Sequence, residues 1–163
     1  MIRALAARLI LAVTALAPLH VRADTYPGRV VAIADGDTVT VLDATQTQHK
    51  VRLAGIDAPE KHQAYGNVSR QHLASAVFGR TVTVDWTKRD RYGREIGKIL
   101  VDGADANLGQ IEAGLAWHYK KYEREQSPKD RAAYAAAEQA ARAARRGLWQ
   151  DPDPIAPWVF RHP

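Results

Sequence analysis

Residues 28–42 read GRVVAIADGDTVTVL and contain two strand patterns on either side of a turn signal. The first pattern is the apolar run at residues 28–33. In the second, at residues 38–42, threonine alternates with valine, which is typical of a strand with one buried face. The dipeptide Asp35-Gly36 lies between them and favours a turn. The stretch therefore predicts two consecutive strands joined by a short acidic turn.

Three further strand patterns follow this pair, with helix patterns between and after them. The strands are predicted at residues 49–53, 81–86 and 96–101, and the helices at residues 67–77, 106–113 and 128–146. The last helix has a capping serine, Ser127, and Gly147 is expected to end it. The order predicts a mainly β fold with helices (α+β), a five-stranded OB-fold Greek-key barrel with three helices. An SH3-like barrel would give a similar pattern.

The first 23 residues differ from the rest of the chain. Arg3 and Arg8 precede an apolar run at residues 9–16, and Ala23 offers a small residue for cleavage, as in a secretory signal. The run is too short and interrupted to span a membrane. We therefore expect a signal peptide at residues 1–23 and one domain at residues 24–163. The proline-rich tail of this domain, residues 150–163, is expected to pack back on the surface through Trp158. The mature protein would be periplasmic or secreted, without membrane attachment.

Composition narrows the possible functions. The chain has no cysteine, which excludes thiolate zinc sites and cysteine nucleophiles. Loss of residues 1–23 removes three arginines and no acid, which lowers the net charge from +5 to +2. Bulk charge therefore does not indicate a polyanionic partner, and any such attraction has to come from the placement of particular charges.

Acidic residues at the ends of predicted strands suggest a cation site. Asp37 lies between the first two strands, and Asp57 and Glu60 follow the third, where Pro59 stiffens the backbone. Carboxylates, backbone carbonyls and water are the ligands that calcium prefers. If Asp37 and Asp57 share one site, they compensate the charge of the ion and leave positions for water and a phosphate oxygen.

Two arginines complete this hypothesis. Arg52 lies in the third strand and Arg94 precedes the fifth. A guanidinium binds two phosphate oxygens at once, so both residues suit the negative charge that develops during phosphodiester hydrolysis. Glu60 would then accept the proton of the attacking water. Each residue taken singly also fits an ordinary turn, surface or loop position, but their shared location at strand ends favours a site.

The same stretches resemble the staphylococcal (micrococcal) nuclease family. The similarity covers residues 28–149 and is carried by DGDTVTV, RLAGIDAPE, DRYGRE, GLAW and GLW, which begin at Asp35, Arg52, Asp90, Gly114 and Gly147. It implies an OB barrel with three helices. It also implies Ca²⁺-dependent cleavage of DNA and RNA.

The resemblance assigns roles to individual residues. The family's calcium ligands match Asp37, Asp57 and the backbone carbonyl of Ala58, with Asp35 close behind the metal; its phosphate-binding arginines match Arg52 and Arg94, and its general base matches Glu60. Alanine at position 58 replaces the threonine of the family's best-known member, but a main-chain ligand should still serve. The loop at residues 61–66 is shorter than in that member.

Substrate contacts are expected in two basic and aromatic stretches. Arg91 belongs to a basic cluster near the fourth strand that suits a nucleic-acid backbone. Tyr92 and Tyr122 match family positions near the nucleotide base, and an ungapped comparison puts Lys120 at a third. The run at residues 117–122 predicts either base stacking with phosphate contacts or a buried tryptophan beside solvated lysines.

Two functions other than catalysis are compatible with a barrel of this type. A catalytically inactive OB-fold module that binds nucleic acid should lack some of the five proposed site side chains, and all five are present. A barrel that binds an oligosaccharide or a protein would not account for two arginines and three acids at these positions. The sequence therefore predicts a phosphodiester hydrolase, a calcium-dependent endonuclease that acts on DNA and RNA as a monomer.

Overall fold

A computed structural model describes residues 24–162, so the predicted signal peptide lies outside the described residues. The strands are β1 (Asp24–Asp35), β2 (Thr38–Asp43), β3 (Gln48–Leu53), β4 (Ile56–Asp57), β5 (Thr81–Arg89), β6 (Glu95–Val101), β7 (Ala104–Asp105) and β8 (Trp117–His118). The α-helices are α1 (Gly66–Val77), α2 (Ala106–Glu112), α3 (Pro128–Ala143) and α4 (Pro157–Phe160). Two 3₁₀ turns cover Lys120–Glu125 and Gly147–Gln150.

Five of the strands close into a barrel. Neighbours in the order β3-β2-β1-β5-β6 are antiparallel, and a parallel pairing of β3 with β6 closes the circle. The alternating valines of β2 and β5 point into its interior, where Val39, Val41 and Val84 are fully buried. The predicted OB-type barrel in an α+β fold is confirmed, and the short helix α4 is added to the three expected helices.

The strands extend beyond their apolar patterns. β1 begins at Asp24 rather than at residue 28, because its first residues pair with β5 as far as Trp86. β5 continues to Arg89, which pairs with Glu95 of β6. Backbone hydrogen bonds define these polar ends, so side-chain alternation does not reveal them.

The end of α3 differs from its prediction. Ser127 caps the start as expected, since its hydroxyl accepts a hydrogen bond from the Asp130 amide. The helix ends at Ala143, however, and Gly147 begins the following 3₁₀ turn instead of closing α3. A Cβ on Gly147 would lie 2.2 Å from the carbonyl oxygen of Gly114, so the glycine permits two backbone segments to approach closely.

A short strand pair that the sequence patterns did not predict joins the barrel to the C-terminal segment. β4 pairs with β8, which sets Asp57 opposite Trp117. The Trp117 ring packs against those of Trp149 and Trp158, at centroid distances of 4.4 and 5.4 Å. The predicted packing of the tail through Trp158 is confirmed, and Asp57 lies at the border between the barrel and this aromatic cluster.

Within residues 24–162, no helix has the length and apolar character that a membrane crossing requires.

Candidate active site

Two buried aspartates share one arginine at the end of the barrel. Asp37, from the turn between β1 and β2, is 5% exposed, and Asp57 of β4 is 0% exposed. Arg52 donates from Nη2 to Asp57 Oδ1 at 2.8 Å, and its Nη1 lies 3.0 Å from Asp37 Oδ2. The register of β2 with β3 sets Thr38 opposite Arg52 and so brings the three side chains together. The structure thus unites three of the predicted site residues.

The Asp37 carboxylate is buried beside two other acidic side chains, Asp35 and Asp57. Its Oδ2 accepts a hydrogen bond from the Ala58 amide at 2.7 Å, and Oδ1 accepts one from the Thr38 hydroxyl. Burial raises the pKa of Asp37 to about 7; Arg52 opposes this shift, while Asp35 and Asp57 add to it. An additional cation beside this pair would therefore be stabilised.

A second layer of polar residues holds the turn that carries Asp37. Asp35 Oδ1 accepts a hydrogen bond from the Asp37 amide at 3.0 Å. Gln110 of α2, which is buried, donates to the Gly36 carbonyl at 2.7 Å and also to Ser69 of α1. A Cβ on Gly36 would lie 1.9 Å from the Ser69 hydroxyl, so this position has no room for a side chain. Two helices therefore fix the turn against the barrel.

Glu60 lies at the rim of the site and meets a residue that the sequence analysis did not identify. Its side chain is 38% exposed, and Oε1 accepts a hydrogen bond from Nη1 of Arg161 at 2.6 Å. Nη2 of Arg161 donates to Asp57 Oδ2 at 2.8 Å. The proline-rich tail thus brings a second guanidinium to the site carboxylates. Its contact partners lie about a hundred residues earlier in the chain, and no local sequence pattern signals such a contact.

Arg94 has a different partner from Arg52. It lies in the turn just before β6, two residues before Ile96, which is the register partner of Arg52 in the parallel pairing of β3 with β6. Among the described residues, Arg94 pairs with Asp90, through Nε and Nη2 at 2.8 Å each, and not with the site acids.

The predicted substrate-binding residues lie in different environments. Tyr92 is 68% exposed, and the guanidinium groups of Arg91 and Arg94 lie 4.8 and 5.5 Å from its ring centroid. The exposed Tyr122 ring has Lys88 and Lys121 at 5.4 and 5.7 Å. Both tyrosines therefore present an aromatic face beside positive charge.

The run at residues 117–122 combines the two interpretations that its pattern allowed. Trp117 is buried, as the structural alternative expected. Lys120 is 60% exposed, as that alternative also expected, and its ammonium pairs with Glu138 Oε2 at 3.0 Å. Only the distal tyrosine of the run, Tyr122, offers an open ring.

The donor set fits a hard cation. Within residues 24–162 no group of three or more histidine, aspartate and glutamate side chains is arranged to hold a metal. Asp37 and Asp57 therefore need backbone carbonyl and water oxygens to complete a shell, which is the mixed oxygen set that calcium accepts. The two guanidinium groups on these carboxylates show that the site stabilises positive charge.

Comparison with known proteins identifies the lineage. A family model described as staphylococcal nuclease homologue matches residues 50–151. The chain belongs to the staphylococcal nuclease family. The matched residues include Arg52, Asp57, Glu60 and Arg94 of the candidate site.

Relatives within this family are similar over most of their length. A protein of Escherichia coli O157:H7 named uncharacterized endonuclease is 43% identical over 83% of this chain and 84% of its own. A micrococcal nuclease of Shigella flexneri is 41% identical over 98% of this chain and 91% of its own. Protein ParB of Escherichia coli is also 41% identical, over 99% of this chain and 90% of its own. The family match and the relatives named endonuclease and micrococcal nuclease support a nuclease function.

Proposed function

We propose that this protein is an exported, calcium-dependent nuclease that hydrolyses phosphodiester bonds in DNA and RNA with little sugar or sequence specificity. The observation that carries the proposal is the pair of buried aspartates, Asp37 and Asp57, held on one arginine at the end of an OB barrel. Hard oxygen ligands and a phosphate-binding guanidinium are the parts that metal-assisted phosphodiester hydrolysis requires.

Asp37, Asp57 and the Ala58 backbone carbonyl would hold the calcium ion, with Asp35 behind them. When bound, the ion supplies Lewis acidity toward a phosphate oxygen. Arg52 lies between both aspartates and would bind the phosphate that approaches the ion.

Glu60 and Arg94 provide the remaining chemistry in this proposal. As a water oxygen bonds to phosphorus and one ester P–O bond breaks, Glu60 accepts the proton that the water loses, and the leaving ester oxygen takes up a proton from solvent to become a hydroxyl. The side chain of Glu60 is partly exposed, so a water molecule reaches it directly. Arg94 exchanges Asp90 for phosphate oxygens, since both acceptors are oxyanions that suit a guanidinium.

The nucleic-acid strand is expected to cross the face that carries the two open tyrosines. Tyr92, beside Arg91, and Tyr122, beside Lys88, each offer a ring for a base and a cation for a phosphate. Stacking on a ring does not depend on base identity, which agrees with low sequence specificity. The Lys120 contact predicted from the resemblance requires the lysine to leave Glu138.

Export rests on the signal-like residues 1–23, and we propose a periplasmic or secreted monomer with no membrane in its mature form. This location agrees with a chain that has no cysteine to oxidise.

The test uses residues 24–163 with plasmid DNA, single-stranded DNA and RNA, each with calcium, with magnesium and with a chelator. We expect all three substrates to be degraded with calcium and none with the chelator. Salt-sensitive binding without cleavage under any metal would instead support the inactive binding module. The matched control is Glu112→Gln, an exposed glutamate at the end of α2, which should cleave as the unaltered protein does.

A further inference from the structure

The C-terminal Arg161 occupies the carboxylate oxygens that a cation would need. Both oxygens of Asp57 are in contact with it, Oδ2 at 2.8 Å from Nη2 and Oδ1 at 3.2 Å from Nη1. Nη1 also donates to Glu60 Oε1 at 2.6 Å. One guanidinium therefore bridges a proposed calcium ligand and the proposed general base.

The tail that carries Arg161 is held on the protein at three places. Gln63, in the loop that begins at Glu60, donates a side-chain hydrogen bond to the Ile155 carbonyl. Trp158 packs against the rings of Trp117 and Tyr119, at centroid distances of 5.4 and 5.5 Å. The third contact is the Arg161 pair itself. The aromatic and loop contacts position α4, and Arg161, the residue that follows α4, therefore reaches the site with its guanidinium.

The contacts of Arg161 and those of a calcium ion exclude each other. A calcium ion bound to Asp57 needs at least one carboxylate oxygen at about 2.3–2.6 Å. Both oxygens already accept hydrogen bonds from arginines, and a divalent ion among the same atoms would repel the guanidinium. Arg52 can remain, because its Nη1 also donates to the Ile56 carbonyl at 3.0 Å, whereas the side-chain partners of Arg161 are only the two site acids among the described residues.

We propose that Arg161 is a built-in counter-ion that closes the metal-free site and is displaced from Asp57 and Glu60 when calcium binds. The inference rests on the proposed function, because it assumes that Asp57 is a calcium ligand. Its consequence is that the tail lowers the apparent affinity for calcium. The tail also keeps Oε1 of Glu60 paired with Arg161 until the ion arrives.

The first test measures calcium binding by titration calorimetry, without substrate, in the unaltered protein (residues 24–163) and in Arg161→Gln. We expect Arg161→Gln to bind calcium about tenfold more tightly, since a charge-assisted contact of this kind is worth about one decade in affinity. Arg161→Lys keeps the charge without the two-pronged contact and should give an intermediate affinity. Arg80→Gln removes an exposed arginine that also pairs with an aspartate, Asp102, and should leave the affinity unchanged.

A second measurement follows the tail itself. Hydrogen exchange of residues 155–162 should speed up when calcium is added to the unaltered protein, because α4 amides such as Arg161 N are bonded within the docked tail. Equal or weaker calcium binding in Arg161→Gln, or unchanged exchange in the tail, would overturn the inference while leaving the calcium site intact. Failure of every variant to bind calcium would overturn the proposed cofactor and the inference together.

Discussion

Two buried acidic centres on this barrel are built in opposite ways. Glu95, at the start of β6, is 2% exposed and receives hydrogen bonds from the Tyr26 hydroxyl at 2.6 Å and from Arg89 at 3.0 Å, with His49 Nδ1 at 2.9 Å. Burial alone would raise the pKa of Glu95, but these three partners hold it below its ordinary value. Asp37, which is also buried, has its pKa raised to about 7, and burial is the main cause.

The two centres also differ in which positive groups face each carboxylate. The partners of Glu95 come from β1, β3 and β5, so the closed barrel itself supplies them. The aspartate pair has Arg52 from the barrel, but its other positive partner, Arg161, comes from the tail. A fixed network stabilises a fold, whereas an acidic pair with a replaceable counter-ion suits the binding of a cation. The comparison predicts that changes at the two centres have different consequences.

The largest expected effect is on catalysis at the aspartate centre. Glu60→Gln should lower turnover by about 10²–10⁴-fold, because the amide cannot accept the proton of the attacking water. The free energy of unfolding should change little, since the Glu60 side chain is partly exposed. Initial rates on single-stranded DNA and thermal unfolding measure the two effects. Turnover within threefold of the unaltered protein would remove Glu60 from the mechanism.

Arg94→Lys tests the phosphate-binding role at the barrel edge. We expect turnover to fall by about 10²-fold, because lysine cannot contact two phosphate oxygens in a planar fork. The Asp90 ion pair remains possible for lysine, so the fold should be retained. The rate with saturating calcium decides the outcome, and Arg80→Lys, at an exposed arginine with no proposed role in the reaction, serves as the control.

Glu95→Gln should show the reverse pattern. We expect the free energy of unfolding to fall by about 2 kcal/mol, since hydrogen bonds to a buried charge are weakened and His49 and Arg89 lose their acidic partner. Turnover at saturating calcium should stay within a few fold. Asp102→Asn, at an exposed ion pair, should change stability by less than about 0.5 kcal/mol. A Glu95→Gln protein that unfolds like the unaltered one would show that the network is not stabilising.

The smallest expected effect is a pH dependence that originates at His49. Burial lowers its pKa, but its contacts with Asp43 and Glu95 outweigh this and raise the pKa above its ordinary value. The stabilisation is therefore fully present below about pH 6.5 and is lost as pH rises through the folded-state pKa. The unfolding free energy of the unaltered protein minus that of His49→Gln should fall by less than about 1 kcal/mol over this window. If this difference in unfolding free energy instead grew with pH, the raised pKa of His49 would be contradicted.

Much of the fold could be predicted because its signals are local. Threonine alternates with valine in both β2 and β5, which predicts two strands, and Asp35-Gly36 predicts the turn that carries Asp37. Five strands with a helix between β3 and β5 favour the strand arrangement of an OB barrel. The strand ends and the β4–β8 pair could not be predicted in this way, because backbone pairing with distant segments defines them.

The part of the candidate site that the barrel carries could also be predicted from the sequence. Asp37, Arg52 and Asp57 follow from acids and an arginine at strand ends, and the closed barrel brings them together. Arg161 and the pairing of Lys120 with Glu138 were missed, because they join side chains from separate segments and leave no periodic pattern. The pairing of Arg94 with Asp90 is local in the sequence. The proposed exchange of Asp90 for a phosphate on Arg94 would occur only when substrate is bound.

The most direct test of the central claim is calcium-binding calorimetry on the unaltered protein, Asp37→Asn and Glu95→Gln. We predict that the unaltered protein and Glu95→Gln bind calcium alike, while Asp37→Asn needs much more calcium for the same occupancy. This result would locate the ion at the aspartate pair. Equal binding by Asp37→Asn, or a loss confined to Glu95→Gln, would contradict the account.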